Sequence, residues 1–439
     1  MQNVGKFPLG ATLGVNPVAS SRIASKLPQI LARNVIHPNS RSGRTAIRTR
    51  GRIAILVAIA IVAVATAIAV WIGFANHPKK QIFRVSGFSM APTLYGDYQL
   101  MSCPRCRTRT KVAAQSAATL AASARTAECW HCGAKFPCDS DGIDPRVIEG
   151  DLVEVTAIQP TAMQPTAIQP EGGNRLRIGD IVAVQVDGRM RVKRILGLPG
   201  DVVSLQQRRL LVNGKRLEMI LAEAGGTRKP AFVDVDIDQH RSDSRWVRAS
   251  EPRDSDWLVY HHQSVYEHLR PSEIYDDYPC NVDVIRPLNP VDQLAVTLSL
   301  AAAARVDVAF YSIAGTRLAT RHLVANEPLT ISVGHAELAD SISLTPQTPI
   351  AIRVRDELGR NELGQVKQGQ RVTLNDLCVR RSVEYRLRRR DSDAMYPLTL
   401  KQNECFIVGD NVPISVDSRE FGPLSMNNIV GFARRLTPQ

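Results

Sequence analysis

Three short windows hold residues whose types and spacing could do chemistry. Ser89 stands in Ser86-Gly87-Phe88-Ser89-Met90-Ala91-Pro92-Thr93-Leu94 and Lys193 in Val192-Lys193-Arg194-Ile195-Leu196-Gly197-Leu198-Pro199-Gly200-Asp201. The third window runs from Gly409 through Asp410, Asn411, Ser415, Asp417 and Arg419 to Gly422. A serine hydroxyl is a weak nucleophile until a base takes its proton. None of the nine histidines sits in a recognisable triad motif, and Gly87-Phe88-Ser89-Met90-Ala91 lacks the second glycine of a hydrolase nucleophile elbow. A lysine can be the base if it is neutral, which means lowering it from about 10.4 toward the working pH. Burial does this by desolvating the charged form. On a strand through Arg189–Arg194, alternation puts Arg191 on the face of Lys193, where a second positive charge favours neutral lysine. Each window alone is also compatible with a plain turn or a solvated strand.

Sulfur supplies a fourth constellation. Cys103-Pro104-Arg105-Cys106 and Cys129-Trp130-His131-Cys132 are two Cys-x2-Cys pairs separated by 22 residues, with Gly133 closing the second. The spacing suits a closed four-cysteine zinc ribbon, slightly longer than the usual gap. Such a site is structural, with no open position for water. Cys138 is an alternative ligand, and two or more disulfides are the rival reading for an exported body. Cys280, Cys378 and Cys405 read as buried thiols, with a disulfide between two of them as the alternative.

The elements that must position these groups are mostly strands. Residues 81–101 read as strand, turn and strand, and 150–155 and 179–184 return to strand pattern. Asn213-Gly214 marks a hairpin turn. Between them, 156–173 carries a five-residue repeat ending in Pro160, Pro165 and Pro170, which forbids a central strand or regular helix and reads as an exposed extended loop. From 218 to 400 none of the three windows occurs. Alternations such as Leu294/Val296/Leu298/Leu300 and Val306/Val308/Phe310 imply a β-sandwich-like insert there.

Composition adds the topology. The chain has 439 residues and a net charge of +13, but nine of the basic residues fall in 1–52, which has no Asp or Glu. The basic excess therefore belongs to a disordered tail, which argues against nucleic-acid binding. Ile53–Phe74 is a charge-free run of 22 residues ending near Trp71 and Phe74. At about 1.5 Å per residue a helix of that length spans a bilayer core of about 30 Å. It exceeds the apolar core of a cleavable leader, which is the competing reading. A basic tail stays cytoplasmic by the positive-inside rule, so the body from about 76 onward is expected outside.

Taken in order, the Ser89, Lys193 and Ser415 windows resemble those of type I signal peptidase, the membrane-anchored Ser/Lys protease that removes signal peptides from exported proteins. The resemblance covers roughly 53–101, 150–217 and 401–436. It implies Ser89 as nucleophile, Lys193 as general base and Ser415 as the serine that orients the lysine. Asp417 and Arg419 match a structural ion pair, and Asp410 and Asn411 the turn that opens the third window. It also implies a substrate bound as an added strand along Ile82, Phe83, Arg84, Val85 and Ser86, with cleavage after small-x-small sites. Some relatives place a serine hydroxyl two positions before the nucleophile as an oxyanion donor; here that position is Gly87, which leaves backbone donors such as the N–H of Ser89.

The expected architecture is mainly β. A cytoplasmic tail (1–52) and one transmembrane helix (53–74) precede the catalytic domain's first part (76–217, with a Cys-rich insert at 103–138). An inserted β-rich domain (218–400) and the catalytic domain's last part (401–439) follow. The implied location is the inner (cytoplasmic) membrane, single-pass, with the catalytic body on the outer side. Preprotein signal peptides and membrane lipid are the expected partners. No nucleic acid or small-molecule cofactor is expected, and catalysis needs no cofactor; the zinc in the ribbon would be structural only. A self-cleaving repressor-type Ser/Lys protease is disfavoured because that class is cytosolic and lacks a span. The alternative from another class is a catalytically inactive export adaptor that uses the two inserts to hold partners.

Overall fold

Short runs of β-branched and aliphatic residues, punctuated by Gly, Asn and Asp, leave little room for helices, and the computed structural model is mainly β. It describes residues 80–113, 126–137, 147–158, 175–224, 228–236, 245–251, 254–278, 284–355 and 374–436, together with Thr66. Apart from Thr66, the apolar run 53–74 lies outside the described residues, as do the tail 1–52, Cys138, Cys280 and most of the Pro-rich repeat. Among the described residues no helix is long and apolar enough to cross a membrane.

A seven-stranded sheet carries the first and third windows at its margins and the second at its centre. Its order is Lys80–Arg84, Leu152–Ala157, Ile429–Arg435, Ile181–Val186, Arg189–Gly197, Glu404–Val408 and Leu424–Ser425. Ile181–Val186 and Arg189–Gly197 form a hairpin that sets Val182 opposite Lys193. Its two-residue turn, Asp187-Gly188, takes φ of 50° and 71°, the left-handed pair that matches strand twist. Alternation splits the core between the two faces. Val182 and Val184 pack with Ile195 and Ile407, whereas Ala183 packs with Val85, Met90 and Val192.

A four-stranded sheet follows, built from Lys215–Arg216, Arg209–Val212, Val202–Gln206 and Leu398–Thr399. Asn213-Gly214 makes the expected hairpin, with Val212 paired to Lys215 and φ of 50° and 78° in the turn. The eight-residue helix Leu217–Ala224 buries Leu217 and Leu221 against this sheet. Nothing in the sequence reading anticipated that helix.

The long stretch without windows builds two further sheets. One holds Phe232–Asp236, Leu374–Ser382, Leu294–Leu300 and Leu329–Ser332. The other holds Trp246–Arg248, Leu258–Tyr260, Ile350–Arg355, Ala304–Phe310, Arg317–Leu323 and Glu337–Leu338. They share one core, in which Val296, Leu298, Val306, Val308, Phe310 and Ile352 are fully buried. The stretch then returns to the sheets that carry the windows. Val383, Tyr385 and Leu387 join the cluster of Leu196, Val203 and Phe406, and Leu398 pairs with Val203. Cys405 is buried as expected, whereas Cys378 is only half-buried; both are free thiols that burial pushes up to about 12.

Candidate functional site

The Ser89 window follows the edge strand directly and folds into tight turns. The N–H of Ala91 donates to the carbonyl of Phe88 at 3.0 Å, and those of Thr93 and Leu94 to Met90 at 2.8 and 3.0 Å. Met90, Ala91 and Leu94 sink into the core while Ser89 stays half-buried. Its carbonyl accepts the N–H of Asn411 at 3.1 Å, which pins the first window to the third. The third window leaves the core strand Glu404–Val408 and bends at Gly409. From there the carbonyl of Asn411 accepts the N–H of Ser415 at 3.0 Å, closing a turn that brings Ser415 back over the sheet.

Lys193 arrives from the central hairpin strand and is 2% exposed. Its Nζ donates to Ser415 Oγ at 2.9 Å. Among the described residues that serine, not Ser89, is its hydrogen-bond partner; hydrogen bonds used in catalysis often tighten only once substrate is bound. Burial pushes Lys193 down to about 8. Asp417 pulls against that shift, Arg191 and Arg419 reinforce it, and Asp410 opposes it more weakly. The Arg191 charge thus acts on the lysine as strand alternation predicts.

Asp417 is fully buried, and burial alone would raise its carboxyl. Arg419 reverses this and holds it well below the usual range, through bonds of 2.8 Å from both Nε and Nη2. The same carboxylate accepts the N–H of Gly409 at 2.9 Å and caps the short helix Ser418–Phe421. A second buried pair was not foreseen. Arg194, adjacent to the lysine and 2% exposed, grips Asp410 through Nε at 2.8 Å and Nη2 at 2.6 Å. Thr93 and Tyr385 also donate to that carboxylate, the tyrosine at 2.7 Å. Burial of Asp410 is again outweighed, here by Arg194, so its carboxyl is lowered. Arg194 sits inside the second window on the buried second half of its strand, and the apolar Ile195-Leu196 that follow it were the available signal.

Lys80–Arg84 occupies one end of the seven-stranded sheet, so its outer edge has no strand partner among the described residues. On the inner side the N–H of Val85 donates to the carbonyl of Asp151 at 2.9 Å. Ile82 is 62% exposed, Arg84 and Ser86 are exposed, Phe83 is half-buried and Val85 is buried.

The four cysteines converge. Cys103 Sγ lies 3.6 Å from Cys132 Sγ, Cys106 Sγ lies 3.4 Å from Cys129 Sγ, and all four sulfurs are within 4.8 Å of one another. Four sulfurs about 2.3 Å from a shared centre would stand about 3.8 Å apart, so the set fits a tetrahedral zinc. All four are free thiols. The two knuckles repeat one backbone pattern. Arg107 N–H donates to Cys103 O and Gly133 N–H to Cys129 O, each at 2.8 Å, with φ of 61° and 66° at Arg107 and Gly133. Four protein ligands leave no open position, so the metal's part would be to hold the ribbon together. Purified chain is expected to carry about one zinc by elemental analysis, and Cys106→Ser to lose most of it and melt several degrees lower.

A family model described as signal peptidase, peptidase S26, matches residues 52–251 and 364–437, more than half of the chain. The chain belongs to this family. No curated protein matches it. All three windows and the cysteine ribbon fall inside the matched stretches of this signal peptidase family member, and residues 252–363 fall outside them.

Close packing ties the windows together at Gly409. A Cβ there would overlap Ser415 Oγ and the carbonyl of Ser89 at once. The backbone has little room to retreat, because the Gly409 N–H is held by Asp417. Gly409→Ala is expected to cost at least about 100-fold in cleavage rate, since a displacement near 1 Å is enough for that loss. It should also lower the melting temperature, so rate and melting measured together check the prediction.

Proposed function

We propose that the chain is a membrane-anchored serine endopeptidase that removes signal peptides from exported preproteins, with Ser89 as nucleophile and Lys193 as general base. The observation that carries this reading is a desolvated lysine hydrogen-bonded to Ser415, in the turn whose Asn411 N–H holds the carbonyl of Ser89. Ser/Lys pairs are an established variant of serine-protease chemistry. Neutral Lys193 takes the Ser89 proton as Oγ attacks the scissile carbonyl. The protonated lysine then gives that proton to the departing amine, leaving an ester on Ser89. Lys193 next takes a proton from water as the water oxygen attacks the ester carbonyl. It returns that proton to Ser89 Oγ as the serine departs, which frees the signal peptide's carboxyl group and restores both the hydroxyl and the neutral amine. Ser415 holds the amine in place through both halves.

The N–H of Ser89 makes no hydrogen bond among the described residues and is available to the developing oxyanion. With Gly87 two positions earlier, no side-chain hydroxyl supplements it there. The substrate adds as a strand along Ile82–Ser86, whose open edge supplies main-chain partners, and shallow pockets accept small side chains before the cut. Anchoring rests on the apolar run 53–74, and the basic tail before it, kept cytoplasmic, is the reason for reading the body on the outer side of the inner membrane.

The test is cleavage of a preprotein bearing an Ala-Xaa-Ala site by the detergent-solubilised chain, with the product's new N-terminus sequenced. A single cut after the second alanine is expected. Well-folded chain that cuts none of several preproteins would instead support a partner-holding role in export.

A further inference from the structure

Tyr278 lies outside both stretches matched to the family, in the part of the chain that carries none of the three windows. Its hydroxyl nevertheless ends inside the turn that organises the site, donating to the carbonyl oxygen of Asp410 at 3.0 Å. That carbonyl belongs to the Asp410–Asn411 peptide, and the N–H of the same peptide donates to the carbonyl of Ser89 at 3.1 Å. A peptide group is planar, so holding its C=O and its N–H fixes one rigid plate from opposite edges. One residue on, the carbonyl of Asn411 receives the N–H of Ser415, whose hydroxyl receives Lys193. A single phenol thus stands at the head of contacts that register the nucleophile's backbone against the lysine's holder.

The ring is itself fixed. Tyr278 is 8% exposed, and the fully buried guanidinium of Arg381 lies over its face, 4.9 Å from the centroid. Burial pushes the hydroxyl up to about 12, so it remains a donor at working pH. Tyr385 does a different job, because it bonds the Asp410 carboxylate rather than the peptide.

We propose that Tyr278 is a positioning residue for the cleavage reaction, through which the β segment outside the family match holds the Asp410–Asn411 peptide in register with Ser89 and Ser415. The proposal rests on the Ser89/Lys193 reading, and its test separates the two. Tyr278→Phe removes only the hydroxyl and leaves the Arg194–Asp410–Tyr385 contacts in place. Losing one buried hydrogen bond is expected to speed hydrogen exchange at the Asn411 amide about tenfold. On a preprotein, kcat should fall about tenfold with KM within about twofold, since the substrate edge is untouched. In a Ser415→Ala background the same change should cost less than about threefold, because both act through one turn.

Wild-type exchange and wild-type kcat in Tyr278→Phe would overturn the proposal. Full tenfold losses that multiply with Ser415→Ala would overturn it as well, since they indicate general weakening of the fold. If the wild-type chain does not cleave, the Ser89/Lys193 reading fails first. Exchange at Asn411 then decides by itself whether Tyr278 holds the peptide.

Discussion

Ser89→Ala is expected to abolish preprotein cleavage while leaving the unfolding transition where it is. Removing the nucleophile of a serine protease costs on the order of 10⁶ in kcat, and a loss of at least about 10⁴ should be measurable above background here. The fold has little stake in the hydroxyl. Ser89 is half-buried, and its anchoring contact is the backbone carbonyl that receives Asn411, which alanine retains. Its Oγ makes no hydrogen bond among the described residues, so truncation strands no buried partner, and the stability change should stay within about 0.5 kcal/mol. Cleavage rate and thermal melting on the same preparation check both halves. A variant that cuts the same bond at more than a few per cent of the wild-type rate would sink the assignment, because alanine cannot form the acyl ester.

What the sequence disclosed follows from the range of the interactions involved. The three windows are legible because each is a turn whose Gly, Pro, Asp and Ser residues act within a few positions, and turn chemistry is local. The cysteine ribbon is legible for the same reason, since each knuckle closes on itself. Strand alternation exposed one buried face of Leu294–Leu300 and of Ala304–Phe310, although the other face is largely buried as well. It could not show that these consecutive strands enter different sheets, because alternation tells which face of a strand is buried and not which strand lies beside it. Tyr278 and Tyr385 were invisible for a related reason. Nothing around either residue distinguishes it, and their partner Asp410 lies 132 and 25 residues away. Arg194 is an intermediate case. Its neighbour was singled out, but its bidentate grip on Asp410 needs the strand and the turn to meet first.

Lys193 should show itself twice in pH titrations, once in rate and once in stability. The base must be neutral, so kcat/KM should climb with pH and reach half its plateau near 8, the value to which burial lowers the lysine. Stability follows from the same shift with its sign worked out. The folded-state value lies below the unfolded value of 10.5, so between about 8 and 10.5 the unfolded chain binds the extra proton. Burying the charged lysine therefore costs most below about 8, and the cost is relieved as pH rises toward 10.5. At about 1.4 kcal/mol per unit the swing is about 3 kcal/mol. Lys193→Met keeps the volume, loses cleavage and carries no such term. The stability of wild type minus that of Lys193→Met, from guanidinium unfolding, should rise by about 3 kcal/mol from pH 8 to 10.5. Other titrating groups cancel in that difference. Losing the bond to Ser415 offsets it by a roughly constant 1–3 kcal/mol without changing its slope. A flat difference together with a flat rate from pH 6 to 9 would mean that Lys193 does not titrate in this range and cannot be the base. A rising difference with a flat rate would leave the lysine desolvated but place the rate-limiting proton elsewhere, which is why both curves are needed.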